Sequence, residues 1–218
     1  MADLITAQQF HDSDGVDDWR VVAGAASTVY RTPSFSAGAA FALEIASIAD
    51  ELDHHPDLDL RARSVTIRTS THSAKSLTEL DVALVRRISL AARDAGLEAD
   101  PSGVQTVTIA IDAVSPDALI PFWKAALGYT SRQPDELGDS RRRGPLVWFN
   151  GVDEHRPPRN RLHVDVEVPH DQAEARVHAA LDAGGTLLGD RYAPAWWSLI
   201  DAEGNVVDIA TWQGRDSG

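Results

Sequence analysis

Apolar residues in the first half of the chain switch between two periods. Phe41, Ile45, Ile48 and Leu52 recur at helical spacing behind Ser36, which is placed to cap a helix running toward residue 52. The stretch RSVTIRTST then alternates, with Val65 and Ile67 on one face and Thr66 and Arg68 on the other, as a half-buried strand does. A second helix is predicted from Thr78, turning Leu80, Leu84, Ile88 and Ala91 inward, and DDWRVV and ASTVYRT read as two shorter strands. Long helices interleaved with antiparallel-type strands predict an α+β layer with helices on one face of the sheet.

At Gly96 to Gln105, GLEADPSGVQ, glycine, proline and small polar residues interrupt both periods. Beyond it the pattern repeats. VTIAIDA, from Val107, returns as LHVDVEV, from Leu162; each precedes a helical stretch, DALIPFWKAALGY and DQAEARVHAALDAGG, that stops at Gly128 and Gly184. Strand, helix and glycine stop returning at one interval indicate a duplication. Further strand candidates, PLVWFN in the first unit and WWSLID and NVVDIA in the second, complete two βαβββ modules. One module cannot bury its sheet face alone, so the two are expected to pack together. The expected domains are residues 1–98 and 104–214.

Composition narrows the function. The 218 residues are 43% hydrophobic and 24% charged, ordinary for globular protein. No apolar run approaches the roughly 20 residues that span a bilayer, and the opening MADLITAQQFHDSDG lacks the basic flank and apolar core of a signal peptide. The absence of cysteine removes disulfides and thiolate metal sites and fits a cytoplasmic location. A formal charge of −13, from 33 acidic and 20 basic residues, disfavours nucleic acid and anionic membranes as partners. The one basic cluster, Ser140 to Gly144 (SRRRG), reads as a solvated connector.

Residues 53–56 read DHHP. Pro56 disfavours helical geometry at His55, so the helix must stop near His54 and leave both imidazoles at its C-terminal end, where the helix dipole favours cations. The alternating strand runs into STH, placing His72 at or past its end. If that strand packs beside the helix, His54, His55, His72 and Asp81 meet, and histidine exchanges protons near neutrality. Two plainer readings stand beside this one. The histidines can cap a helix, with Asp81 completing a capping box three residues after Thr78. Zinc is the other, although no helical His-x-x-x-His pair or other dedicated metal spacing is present.

The ordered motif DELDHHPD, STH and SLTELD resembles the signature of the pterin-4a-carbinolamine dehydratases, over roughly residues 1–95 and including Trp19. The resemblance implies dehydration of a 4a-hydroxytetrahydropterin to the quinonoid dihydropterin, with no metal or organic cofactor. By position, His54 and His72 would form the acid/base pair flanking C4a, His55 would help hold the pterin, and Asp81 would orient His72 or cap its helix. The sequence departs from the family at Leu58 and Ala62, where aromatic residues are usual, so the flat apolar contacts to a pterin are reduced.

In the second half IPFWKAALGY, NRLHVDVEV and DAEGNVVDIA resemble the glyoxalase-like domains of the vicinal-oxygen-chelate superfamily, over roughly residues 104–213. Metal-using members of that superfamily ligate an ion from four strand positions. Two ligand types survive here, His163 and Asp208, while the first-module positions fall at or near Thr108 and Trp148. Two ligands seldom suffice for a catalytic metal. The alternative is a metal-free cavity walled by Trp123, Trp148, Trp196 and Trp197, with Arg161 and His163 at its mouth, that binds a small aromatic or acidic molecule. Three functions are therefore open: a pterin dehydratase, a metal-dependent lyase or dioxygenase of the second half, and a non-catalytic binding protein. A homodimer is the default assembly.

Overall fold

The computed structural model describes residues 3–74, 76–153, 162–200, 202 and 206–215. The chain divides into two compact units, Met1–Val104 with Arg215–Gly218, and Gln105–Gly214. Both combine helices with sheets, and the first carries an antiparallel sheet, as the hydrophobic pattern predicts. Among the described residues no helix is long and apolar enough to cross a membrane.

The first unit begins with β1 (Leu4–Ile5) and α1 (Ala7–His11), followed by β2 (Arg20–Val22) and β3 (Ala25–Arg31). Then come α2 (Phe35–Leu52), β4 (Asp57–Arg61), β5 (Ser64–Thr69), β6 (Leu77–Thr78), α3 (Glu79–Asp94) and β7 (Glu98–Ala99). Its sheet runs β2-β3-β5-β4, all antiparallel, with β7 added to the end of β3. Tyr30, Val65 and Ile67 are buried on one face, where Phe41 of α2 meets the Tyr30 ring edge-on at 5.3 Å. Gly38 brings α2 close to β4: a Cβ there would stand 2.7 Å from Leu60 Cδ1.

Three details differ from the sequence reading. The N-cap of α2 is Ser34, whose hydroxyl accepts from the Ala37 N–H, and Ser36 lies inside the first turn. In α3, Leu80 is 38% exposed, while Asp81 and Ser89 are buried with Leu84 and Ile88. The strand β4 (DLDLR), whose alternation spans only five residues, follows Pro56 directly.

Ser89 closes a buried chain of donors. Trp19 Nε1–H donates to Ser89 Oγ at 2.9 Å; Ser89 lies 3.1 Å from Tyr30 Oη, and Tyr30 donates to Asp18 Oδ2 at 3.0 Å. Burial pushes the Tyr30 phenol above its ordinary range, so it stays a donor at any physiological pH. Such chains polarise each other in a low-dielectric interior.

The second unit contains the two expected modules. Module one is β8 (Thr106–Ala113), α4 (Pro116–Leu127), β9 (Thr130–Gln133), β10 (Glu136–Gly138) and β11 (Leu146–Gly151). Module two is β12 (Leu162–Glu167), α5 (Ala173–Asp182), β13 (Thr186–Gly189), β14 (Trp196–Ile200) and β15 (Val206–Ala210). Gly128 ends α4 in the left-handed region, at φ 66°, which its missing Cβ permits. The modules join through antiparallel pairing of β8 with β12, giving one sheet of order β13-β14-β15-β12-β8-β11-β10-β9. Ile111, Val147 and Phe149 pack with Trp123 in one cluster, and Val168, Leu199 and Ile209 with Trp197 in another. The SRRRG loop is exposed, but it is ordered by Asp139, whose carboxylate accepts from the Arg141 and Arg143 N–H groups. Those donors hold that carboxyl below the usual range.

Replacing Ser89 with alanine leaves the buried Trp19 indole N–H unpaired. The expected loss is about 1–3 kcal/mol for the first unit, read as a lower urea midpoint.

Candidate functional site

Three elements of the first unit end around one carboxylate. α2 stops at Leu52 because Asp53 adopts a left-handed conformation (φ 48°, ψ 39°), which aspartate tolerates better than most side chains. The His54 N–H then turns back to the Ala49 carbonyl at 3.0 Å, a Schellman-type closure that fixes the His54 backbone on the last turn. α3 starts at Thr78, where the capping box places Asp81 beneath the helix N-terminus. Between them, β5 delivers Thr69 and the residues that follow it.

Asp81 is 0% exposed and accepts from every side. Oδ1 receives His54 Nε2–H at 2.8 Å and Thr69 Oγ1–H at 2.7 Å. Oδ2 receives Thr71 Oγ1–H at 2.8 Å and the Thr78 N–H at 2.9 Å. A carboxylate so supplied is acceptor-only, which makes the His54 nitrogen facing it the protonated one. The Nδ1 lone pair of His54 is thereby left for another partner. The expected capping box is thus formed by the same side chain that bonds His54. The expected partner changes, however: Asp81 caps its helix and holds His54, whereas no bond of its carboxylate reaches His72 among the described residues.

The remaining candidates make no bond to Asp81 among the described residues. His55 is exposed, with Nε2 3.0 Å from Asp50 Oδ1, one turn back on α2. His72 is exposed in the turn after β5, directly following the buried Thr71. Leu58, on β4 opposite Ile67, is 39% exposed, and Ala62 lies in the exposed turn between β4 and β5. A groove of about 560 Å³ between α2 and α3 is lined by Phe41, Ile48, Leu90 and Leu97, among others, and by none of the histidines.

The second unit has its own cluster. Odd-numbered positions of β8 and β11 pack on the helix side, so even-numbered ones, including Thr108 and Trp148, occupy the opposite face. On β12 the parity is reversed, bringing His163 and Asp165 to that opposite face, and parallel pairing sets Asp165 beside Asp208 of β15. His163 Nε2 lies 3.4 Å from Asp165 Oδ1 and 4.0 Å from Asp208 Oδ2, and Trp148 Nε1–H donates to Asp165 Oδ2 at 3.0 Å. Among the described residues Asp208 Oδ1 is buried without a hydrogen-bond partner. Ligand-type atoms of all three residues lie within 4.8 Å of one another. The sequence reading offered His163 and Asp208 and missed Asp165; the His-x-Asp spacing on one strand face was the available signal. The four tryptophans divide, Trp123 and Trp197 packing on the two cores and Trp148 and Trp196 belonging to the other face. Arg161 lies outside the described residues.

The first unit is thus an α+β scaffold that buries a carboxylate–imidazole pair at a helix end. The comparisons supply the family. The model for pterin 4 alpha carbinolamine dehydratase matches residues 3–91, and that for a glyoxalase-like domain matches residues 108–210. A protein of Herpetosiphon aurantiacus named "Putative pterin-4-alpha-carbinolamine dehydratase" is 43% identical over 70 residues, covering 32% of this chain and 73% of its own length. One of the same name from Mycolicibacterium smegmatis is 39% identical over 71 residues, covering 33% and 76%. A crystal structure of a transcriptional coactivator/pterin dehydratase from Brucella melitensis shares 27% identity, covers 41% of this chain and 99% of that one, and has a TM-score of 0.39. Through its first unit, the chain belongs to the pterin-4a-carbinolamine dehydratase family, fused to a glyoxalase-like domain.

In Asp81→Asn an amide donor must face one of the four incoming donors. Stability is expected to fall by about 1–3 kcal/mol, and the His54 ring should lose its fixed Nε2–H tautomer. Imidazole ¹⁵N spectra check this, and an unchanged ring contradicts it.

Proposed function

We propose that residues 1–98 form a domain that dehydrates a 4a-hydroxytetrahydropterin to the quinonoid dihydropterin. The observation that carries the reading is the His54–Asp81 bond, found in a chain whose first unit belongs to the dehydratase family. The N5 lone pair expels the 4a-hydroxyl as the C4a–O bond breaks. One imidazole protonates the departing oxygen to give water, and the other takes the N5 proton as C4a=N5 forms. His54, acting through Nδ1 while Asp81 fixes Nε2, and His72 are the acid/base pair. His55 helps hold the pterin. Asp81 acts through His54 and is a positioning residue.

Leu58 and Ala62 offer the ring less flat apolar surface than aromatic side chains would, so binding relies more on polar contacts. The test is the dehydration rate of the whole protein and of its single variants. His54→Ala and His72→Ala, checked for fold by circular dichroism, are expected to lose on the order of 10²–10⁴-fold in turnover. Undiminished turnover in both removes the assignment.

A second reading concerns residues 104–214, where His163, Asp165 and Asp208 gather and one carboxylate oxygen lacks a donor. One imidazole and two carboxylates suit a borderline divalent cation, which would polarise a bound oxygen there. Trp148 would orient Asp165 from behind. Elemental analysis of gently purified protein is expected to show one equivalent of divalent metal if this reading holds, and His163→Ala should lose it. Metal-free protein that takes up none on titration excludes the reading.

A further inference from the structure

The two proposed proton-transfer histidines stand on different elements, His54 at the end of α2 and His72 in the turn after β5. Their separation must be set by something between them. Thr71 is 7% exposed and bonds in three directions. Its N–H donates to the Ser76 carbonyl at 2.9 Å, and its carbonyl accepts from the Ala74 N–H at 3.1 Å, which closes the turn that carries His72. Its hydroxyl donates to Asp81 Oδ2 at 2.8 Å, on the carboxylate whose other oxygen holds His54. The path from His72 to His54 therefore runs through one threonine and one aspartate.

We propose that Thr71 is a positioning residue that locks the His72 turn to the His54–Asp81 pair and so sets the spacing of the two imidazoles for the dehydration. This rests on the dehydratase reading for its chemical consequence, but not for its geometry. Thr69 touches the same carboxylate through Oδ1, and its hydroxyl lies 3.3 Å from His54 Nε2, yet it sits within β5, two residues before the turn, and among the described residues makes no bond to the turn itself. It therefore serves as the control for a general loosening of Asp81. The fold is expected to survive loss of the Thr71 hydroxyl, because Oδ2 keeps the Thr78 N–H at 2.9 Å and the Thr78 Oγ1–H at 3.4 Å.

The test compares the whole protein with Thr71→Val, Thr71→Ser and Thr69→Val. Misplacing a reacting group by about 1 Å costs on the order of 10²-fold. Thr71→Val is thus expected to lose roughly 10–100-fold in kcat with KM within about threefold, and Thr71→Ser to recover most of that loss. Thr69→Val should lose less than Thr71→Val. Amide exchange is the independent arm: the N–H groups of Thr71 and Ala74 are expected to lose protection in Thr71→Val and regain it in Thr71→Ser. Thr71→Val with wild-type kcat, Thr71→Ser no better than valine, or equal losses in both valine variants would overturn the proposal. If the wild-type protein does not dehydrate the pterin, the dehydratase reading fails by itself. The lock is then judged on exchange alone, with unchanged protection overturning it and selective loss supporting it.

Discussion

Burying a carboxylate costs several kcal/mol unless its lone pairs all find donors, and Asp81 meets that condition with four donors drawn from three separate elements. The interaction is therefore a constraint on assembly as much as a local bond. α2 must end where His54 reaches the carboxylate, β5 must deliver Thr69 and Thr71 in register, and α3 must begin at Thr78. None of these can shift by a residue without stranding a charge in the interior. The same condition that makes the fold definite also fixes which nitrogen of His54 carries its proton, so structure and chemistry share one requirement.

The histidines were legible in the chain because proline and the helical period are local signals: Pro56 and the Phe41–Leu52 spacing place His54 and His55 at a helix end before any tertiary contact is known. The partner of Asp81 was not legible. Whether that carboxylate faces residue 54 or residue 72 depends on how β5 lies against two helices, and each alternative satisfies the same spacing. The cap of α2 was misplaced for a related reason. Ser34 and Ser36 are both competent caps, and only the backbone decides that Phe35, 57% exposed, opens the helix. The strand β4 escaped notice because its two leucines alternate with charged residues over a stretch too short to be read apart from a loop.

In the second unit the repeat was readable because duplication preserves order: strand, helix, glycine, strands. The cluster on its sheet was only half readable. His163 and Asp208 occupy positions that resemblance singles out, but Asp165 enters through strand register, being brought beside Asp208 by parallel pairing. Trp148 ends its indole N–H on the Asp165 carboxylate and so helps fix the orientation of that side chain.

The pairing of β8 with β12 has a further bearing on how such a domain can be divided. Each is the first strand of its own module, yet each lies in the interior of the shared sheet, with neighbours on both sides. Separating the modules would leave both strands with a row of bare peptide groups, and β8 contributes to that exposed border the six residues, Thr106–Ile111, that pair with β12. Half of the duplicated region is therefore not half of a working fold; it is a sticky fragment whose nearest satisfaction is another copy of itself.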